Sequence, residues 1–395
     1  MSLPYVLIGL DGGATKVSGG TLHVDQEHRF SLGKHLAQRR YRDYPHFIKD
    51  FRPVDLKTQL AEMATGDIRL TPAEKRQGKA YVEATTDVIT ELAQGQPVLV
   101  GMGMPGLKTP DKRGIAAMAN GPRLPQFAHQ VERLLQQRGV ELVSPLTKLG
   151  SDADYCGLGE EYSSQGLFRG VASAYYLGGG TGAADALKIQ GQLYPFDKVK
   201  AWIAKTWELK NDRGISLERY ASANGIQTVY SNLTNTPVET LTANRVFPEQ
   251  ILNRALEGET AARETLREVS YNLAQLVYER ILTLYAGWKG SFATVNPQRP
   301  PLQEDHPFLG TLLDRIVIGQ RLGNLMAQAQ TTPILWEPCL AELATLIQTS
   351  PHLDPSAKQH YLTQGKLRPG LVQVSQLREA PALGAGIEAF LLFKH

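Results

Sequence analysis

A strand-like run that ends in glycines and is answered by a second strand-like run occurs twice in this chain. No other feature constrains the fold as much. Tyr5–Leu10 is short and aliphatic, stops at Asp11-Gly12-Gly13, and Lys16–Val24 returns. Val171–Leu177 meets Gly178-Gly179-Gly180-Thr181-Gly182, and Ala183–Ile189 returns. Each reads as a buried strand, a tight turn and the second strand of a hairpin. The two units start about 165 residues apart with no shorter period between them, which suggests a duplicated architecture. A chain of 395 residues has room for two domains, each with its own core.

Other elements follow from local signals. Thr71-Pro72-Ala73-Glu74 is a capping box with proline at the first helical position, and predicts a helix to about Ala93. Pro97–Met102 predicts a buried strand, Phe127–Arg138 a helix closed by Gly139, and Val140–Val143 a strand. Ser151 or Asp152 is placed to cap a helix to about Glu161. Leu266, Val269, Leu273, Leu276, Val277, Ile281 and Leu284 recur at helical spacing, so Glu259–Tyr285 is one long helix with a core-facing stripe. Ile316–Ile318 reads as a short strand and Ala382–Phe393 as a final helix, with Gly384 and Gly386 small enough for close approach. Residues 287–308, with four prolines, read as a loop. Residues 26–70 are polar and resist assignment; Arg39-Arg40-Tyr41-Arg42 reads as a solvated basic face.

Composition excludes several classes. The chain is 42% hydrophobic and 21% charged, which is globular rather than disordered. A net charge of +3 does not call for nucleic acid or a membrane surface as partner. Two cysteines, Cys156 and Cys339, make neither a disulfide framework nor a cysteine-based zinc site, and they fit a reducing cytoplasm. The N-terminal stretch lacks the basic flank of a secretory signal, and no apolar run has the length of a membrane span.

Glycines in a hairpin turn let backbone N–H groups converge on an anion. Thr15 and Thr181 add hydroxyls, and Lys16 adds positive charge. Asp11 beside phosphates makes sense through Mg²⁺ or its water shell. Between the loops lies Ser151-Asp152-Ala153-Asp154, where an aspartate is placed to take a proton from a hydroxyl nucleophile. The plainer alternatives are two ordinary hairpins and a helix cap at Asp152. Gly101–Gly106 matches the dinucleotide pattern GxGxxG, but Pro105 and the following residues cannot open the required helix. No GxxxxGK[ST] occurs, which excludes a P-loop.

Taken together and in order, these segments resemble the ROK family of sugar kinases, within the actin-like ATPase superfamily. Asp11–Lys16 is similar to the family's first phosphate loop (DxGGTK), Gly101–Gly106 to its GxGxPG segment, and Asn120-Gly121-Pro122 to its sugar-contacting loop. Ser151–Asp154 resembles the NDAN motif, which makes Asp152 the catalytic base. Gly178–Gly182 resembles the second phosphate loop. Leu217–Ser222 resembles the LExxAS segment, whose glutamate (here Glu218) contacts sugar. Ile316–Gly323 and Ala382–Ala389 resemble the nucleotide-side segments and carry Gly319 and Gly384.

The resemblance implies two α/β domains of the ribonuclease-H-like type, each with a mixed central sheet flanked by helices, facing across a cleft. The smaller holds 1–118 and 381–395, the larger 119–380. It implies ATP held by Asp11, Gly12, Gly13, Thr15, Lys16, Gly179, Gly180, Thr181, Gly182, Gly319 and Gly384, with Mg²⁺ at Asp11. The sugar falls to Asn120, Gly121, Ser151, Asp152 and Glu218. The expected activity is transfer of the γ-phosphate of ATP to a sugar hydroxyl. The expected assembly is a cytoplasmic homodimer without nucleic-acid or membrane partners.

Departures from the pattern are specific. Ser151 replaces the family's asparagine, and Asp154 its second asparagine. The GExGH stretch is missing, and residues 185–213 hold no Cys or His, so no structural zinc is expected. Gln320 and Arg321 replace glycines near the nucleotide. These changes keep open a second function, a sugar- or nucleotide-binding sensor without turnover. ROK repressors carry a helix-turn-helix before the first strand. This chain opens on that strand, so no DNA binding is expected.

Overall fold

A computed structural model describes residues 3–377 and 379–394. Its contacts divide the chain into a first unit, residues up to 165 together with 379 onward, and a second, residues 166–378.

The first unit is built on a five-stranded sheet. Strands β1 (Val6–Gly12), β2 (Lys16–Val24) and β3 (Phe30–Arg40) form an antiparallel meander. Helix α1 (Leu56–Thr65) and helix α2 (Pro72–Ala93) lead to β4 (Val98–Gly103), which lies parallel to β1. After helix α3 (Phe127–Gln137), the short β5 (Leu149–Gly150) joins β4 in parallel and opens helix α4 (Asp152–Tyr162). The spatial order is β3-β2-β1-β4-β5.

One face of this sheet is apolar in the ordinary way. Ile8, Leu10, Val98 and Val100 meet Ala84, Val88, Ile89 and Leu92 of α2, all buried at helical spacing. The capping box forms as predicted, with Thr71 N donating to Glu74 Oε2 (2.9 Å) and Glu74 N donating to Thr71 Oγ1 (3.1 Å). Glu74 also neutralises the buried Arg123 at 2.7 Å, so that charge is not left alone in a low dielectric.

The other face receives the C-terminal helix, Ala380–Lys394, at backbone contact. A Cβ on Gly9 would lie 1.9 Å from the Ala382 carbonyl oxygen, one on Gly101 1.8 Å from that of Ala385, and one on Gly384 2.0 Å from that of Tyr155. A side chain at Gly9 or Gly101 would push the helix off the sheet, and one at Gly384 would push it off α4.

The second unit repeats the plan. Strands β6 (Ala174–Gly179), β7 (Ala183–Ile189) and β8 (Gln192–Tyr194) form the meander; β9 (Arg315–Gly319) and β10 (Val372–Val374) add in parallel. The order β8-β7-β6-β9-β10 is that of the first sheet, so the duplication expected from the glycine hairpins is present in the topology. Between β8 and β9 come mainly helices, among them α5 (Glu218–Ala221), α6 (Ala223–Thr234) and the 27-residue α7 (Thr260–Ala286). Helix α8 (Gln320–Ala329) follows β9 directly. The stripe on α7 is core as predicted: Leu266, Leu273, Leu276, Ile281 and Leu284 are almost fully buried.

Three expectations need correction. The junction falls at 165/166 rather than near 118, because β5 completes the first sheet and α4 packs against the C-terminal helix. Val140–Val143 is not a strand; it makes a single bridge, Leu142 to Val98. Residues 26–70 are not featureless, because β3 and α1 lie within them. The signal for β3 was hidden: its outer face is solvated, and the strand reads as polar.

Candidate functional site

In open α/β sheets, ligands gather beyond the carboxyl ends of the parallel strands. In the first unit, Asp11 of β1 stands opposite Gly103 of β4, and Gly103 opposite Gly150 of β5. At about 4.8 Å per strand, Asp11 and Gly150 are roughly 10 Å apart along this edge. Asp152 follows two residues later as the first residue of α4. It is exposed, and among the described residues its Oδ1 accepts only from the adjacent Ala153 N–H at 2.9 Å. Ser151 holds the N-cap position without a side-chain capping bond. The capping role that sequence allowed for either residue is therefore unused, and Asp152 is available to a ligand.

Asp11 is half-buried, and its carboxyl is pushed up to about 7. Burial is the main cause, the negative charges of Asp152 and Glu379 add to it, and Lys16 opposes it. Three carboxylates and one amine thus share a field at this corner. Glu379, just before the C-terminal helix, carries no motif and was missed in the sequence; only the docking of that helix brings it here. Among the described residues, no three His, Cys, Asp or Glu side chains form a ready-made metal cage. Mg²⁺ commonly uses one or two carboxylates and completes its shell with phosphate oxygens and water. Asp11, whose ionisation burial and two nearby negative charges oppose, is a carboxyl that a divalent cation would hold in its charged form.

The first glycine hairpin closes with Gly13 N donating to Lys16 O at 2.8 Å. It is braced from behind: the Tyr81 hydroxyl donates to Ala14 O (2.9 Å) and Tyr41 N to Thr15 O (3.1 Å). Ala14, Thr15 and Lys16 are exposed. Gly12 is buried against Met104, whereas a Cβ on Gly13 would find nothing closer than 3.5 Å. Asn120 is exposed in a turn, and a Cβ on the neighbouring Gly121 would lie 3.1 Å from the Tyr81 hydroxyl. Tyr81 therefore links the turn of Asn120 and Gly121 to the hairpin.

The second glycine hairpin, in the second unit, is differently filled. Gly180 N donates to Gly182 O at 2.9 Å, and Thr181 is exposed. The Glu218 carboxylate accepts from Ala183 N at 2.9 Å and would lie 2.7 Å from a Cβ on Gly182. Glu218, expected at the sugar, thus braces the hairpin through Oε1. Gln320 has a left-handed backbone (φ 56°). Its side chain lies over the loop: Cδ would be 3.0 Å from a Cβ on Gly178, and Oε1 2.9 Å from one on Gly180. Gly179 backs onto the Ala221 carbonyl oxygen, 2.3 Å from where its Cβ would be. Gly319 is buried against Tyr176 at the end of β9.

Two residues or regions stand apart. Gly384, expected beside the nucleotide, is buried between the C-terminal helix and α4, where it serves close packing. A cavity of about 790 Å³ between α2 and α3 holds none of the predicted site residues. The GxGxxG segment leads into a small antiparallel ribbon, Leu107–Lys108 with Ile115–Ala117, and not into a helix, as its proline predicted.

No protein-family model matches the chain, and no curated protein sequence matches it significantly. Solved structures do match. A ROK family glucokinase from Streptomyces griseus, in complex with glucose and AMPPNP, superposes with a TM-score of 0.57 at 14% identity, over 97% of this chain and 98% of that one. The ROK hexokinase of Thermus thermophilus gives 0.52 at 16% identity, over 98% and 99%. A ROK family transcriptional regulator, homologous to the E. coli MLC protein, gives 0.54 at 12% identity, over 99% of this chain and 79% of that one. At such identities the likeness concerns architecture: the chain shares the fold of the ROK family glucokinase and the ROK hexokinase.

Proposed function

We propose that this protein is an ATP-dependent phosphotransferase that moves the γ-phosphate to a hydroxyl of a sugar or sugar-like acceptor. The observation that carries this reading is the strand-end row of Asp11, Gly103 and Gly150, with Asp152 exposed and uncommitted beyond it and an open glycine hairpin beside it. Its fold is shared with a glucokinase that binds glucose and AMPPNP.

In this reading Asp152 accepts the proton of the acceptor hydroxyl. The N–H groups of the first hairpin, Thr15 and Lys16 hold phosphate oxygens, and Gly179–Gly182 supply further N–H donors. Asn120, Gly121, Ser151 and the second oxygen of Glu218 serve sugar hydroxyls. Asp11 holds Mg²⁺ or its water shell; the cation supplies neutralisation of phosphate charge. The reading extends to a homodimer in the cytoplasm, which sedimentation of the purified chain and localisation of a tagged copy test.

ADP release across hexoses, N-acetylhexosamines and polyols tests the function. Asp152→Asn is expected to lower kcat by about 10²–10⁴-fold, the scale of base catalysis, with its thermal midpoint unchanged because the side chain is exposed. Retained turnover removes Asp152 from that role. Gln320 over the second hairpin favours one other reading, a sensor that binds sugar or nucleotide without turnover. Calorimetric binding with no ADP release in any acceptor would establish it instead.

A further inference from the structure

The basic run that reads in sequence as a solvated face ends β3 directly beside the first glycine hairpin. The register sets Lys16 opposite Arg40, Ser18 opposite Gln38, and Ser18 also opposite Asp11. Residues facing each other across an antiparallel pair lie on the same side of the sheet. Arg40 and Lys16 thus share the face of Asp11. Arg39 lies on the other face, bound to Glu91 of α2 at 2.5 Å.

Both cations at the hairpin are exposed. The Lys16 amine donates to the neutral Gln38 Oε1 at 3.0 Å. Among the described residues, no carboxylate pairs with Arg40. Like charges directly opposite one another destabilise a strand pair unless an anion lies between them. The corner is also held rigidly. Tyr41, fully buried, stacks on Tyr81 with ring centroids 3.7 Å apart, and these two residues are the ones that bond the hairpin carbonyls of Thr15 and Ala14. The residue after Arg40 is therefore anchored to the phosphate-loop candidate itself.

We propose that Arg40 and Lys16 form an anion subsite on the first hairpin that binds the phosphate chain of the donor triphosphate. The inference rests on the phosphotransferase reading and adds to it a residue from outside every glycine motif. A guanidinium offers two parallel N–H donors to a phosphate, and the lysine adds a point charge. Asp11 on the same face suits a chain that arrives complexed with Mg²⁺.

Calorimetry of the full chain with magnesium tripolyphosphate, MgATP and adenosine tests this in wild type, Arg40→Gln, Arg40→Lys and Arg42→Gln. Arg40→Gln is expected to weaken tripolyphosphate and MgATP roughly tenfold, the scale of one charge-assisted contact, and to leave adenosine unchanged. Arg40→Lys should fall between, and Arg42→Gln should match wild type. Unaltered tripolyphosphate affinity in Arg40→Gln, an equal loss in Arg42→Gln, or no tripolyphosphate binding by wild type would overturn the proposal. Wild type that binds tripolyphosphate through Arg40 but releases no ADP with any acceptor would sink the kinase reading and leave the subsite standing.

Discussion

The two glycine hairpins descend from the same sequence pattern and occupy the same place in two sheets of the same order, yet they are differently prepared for a ligand. The first is open above and braced below. Its carbonyls are held by Tyr41 and Tyr81, Gly13 has free space around it, and Lys16 and Arg40 stand at its edge. The second is covered: Gln320 lies over Gly178 and Gly180, and Glu218 occupies the Ala183 amide. A glycine pattern specifies that backbone can approach something closely. In the first hairpin the space is left for solvent or ligand, while in the second the chain's own side chains and backbone take much of it.

The sharpest way to break this contrast is one methyl group at each hairpin. Gly179→Ala puts a Cβ 2.3 Å from the Ala221 carbonyl oxygen and 2.5 Å from Leu322 Cβ, so it should cost about 1–3 kcal/mol in urea unfolding of the second unit. Gly13→Ala, with its nearest neighbour at 3.5 Å, should stay within about 0.5 kcal/mol of wild type. Equal losses would mean that the hairpins do not differ as described.

A smaller effect is expected at Gln320. Its left-handed backbone favours glycine, and relief of that strain outweighs the entropy gained by the unfolded chain, so Gln320→Gly should stabilise by about 0.5 kcal/mol. The same change uncovers the loop and should tighten MgATP a few-fold in calorimetry, since less of the population must first move the side chain aside. Weaker binding would show that Gln320 is a ligand contact and not a cover.

The last expected change concerns Asp11, and it shows only as a pH dependence. Its carboxyl is raised from the ordinary 3.8 to about 7, so between these values the folded state holds a proton that the unfolded state has released. Stability from this group is present below the lower value and is lost as pH rises through the upper one. Asp11→Asn should flatten the pH dependence of the unfolding free energy across that window. An unchanged slope would place the corner's charges further apart than described.

Much of the fold was legible because its signals are local. The capping box at Thr71 and Glu74, the stripe of α7 and the strand–glycine–strand hairpins each lie within one stretch of chain. β3 was not legible, since a strand with one solvated face and a basic end looks like a loop. Gly384 was misplaced for a related reason: a glycine in a helix looks the same in sequence whether it admits a nucleotide or another helix. Glu379 had no local signal at all.

The amino-acid order by itself determined where backbone turns sharply, which faces are apolar and which carboxylates and cations exist near glycines. Tertiary structure alone decided who stands beside whom: Glu379 within the field of Asp11, Arg40 opposite Lys16, Gln320 over Gly178. The reason is physical. Turns and periodicity depend on neighbours along the chain, whereas register and helix docking depend on contacts between segments tens to hundreds of residues apart, and only the packed core selects among those pairings.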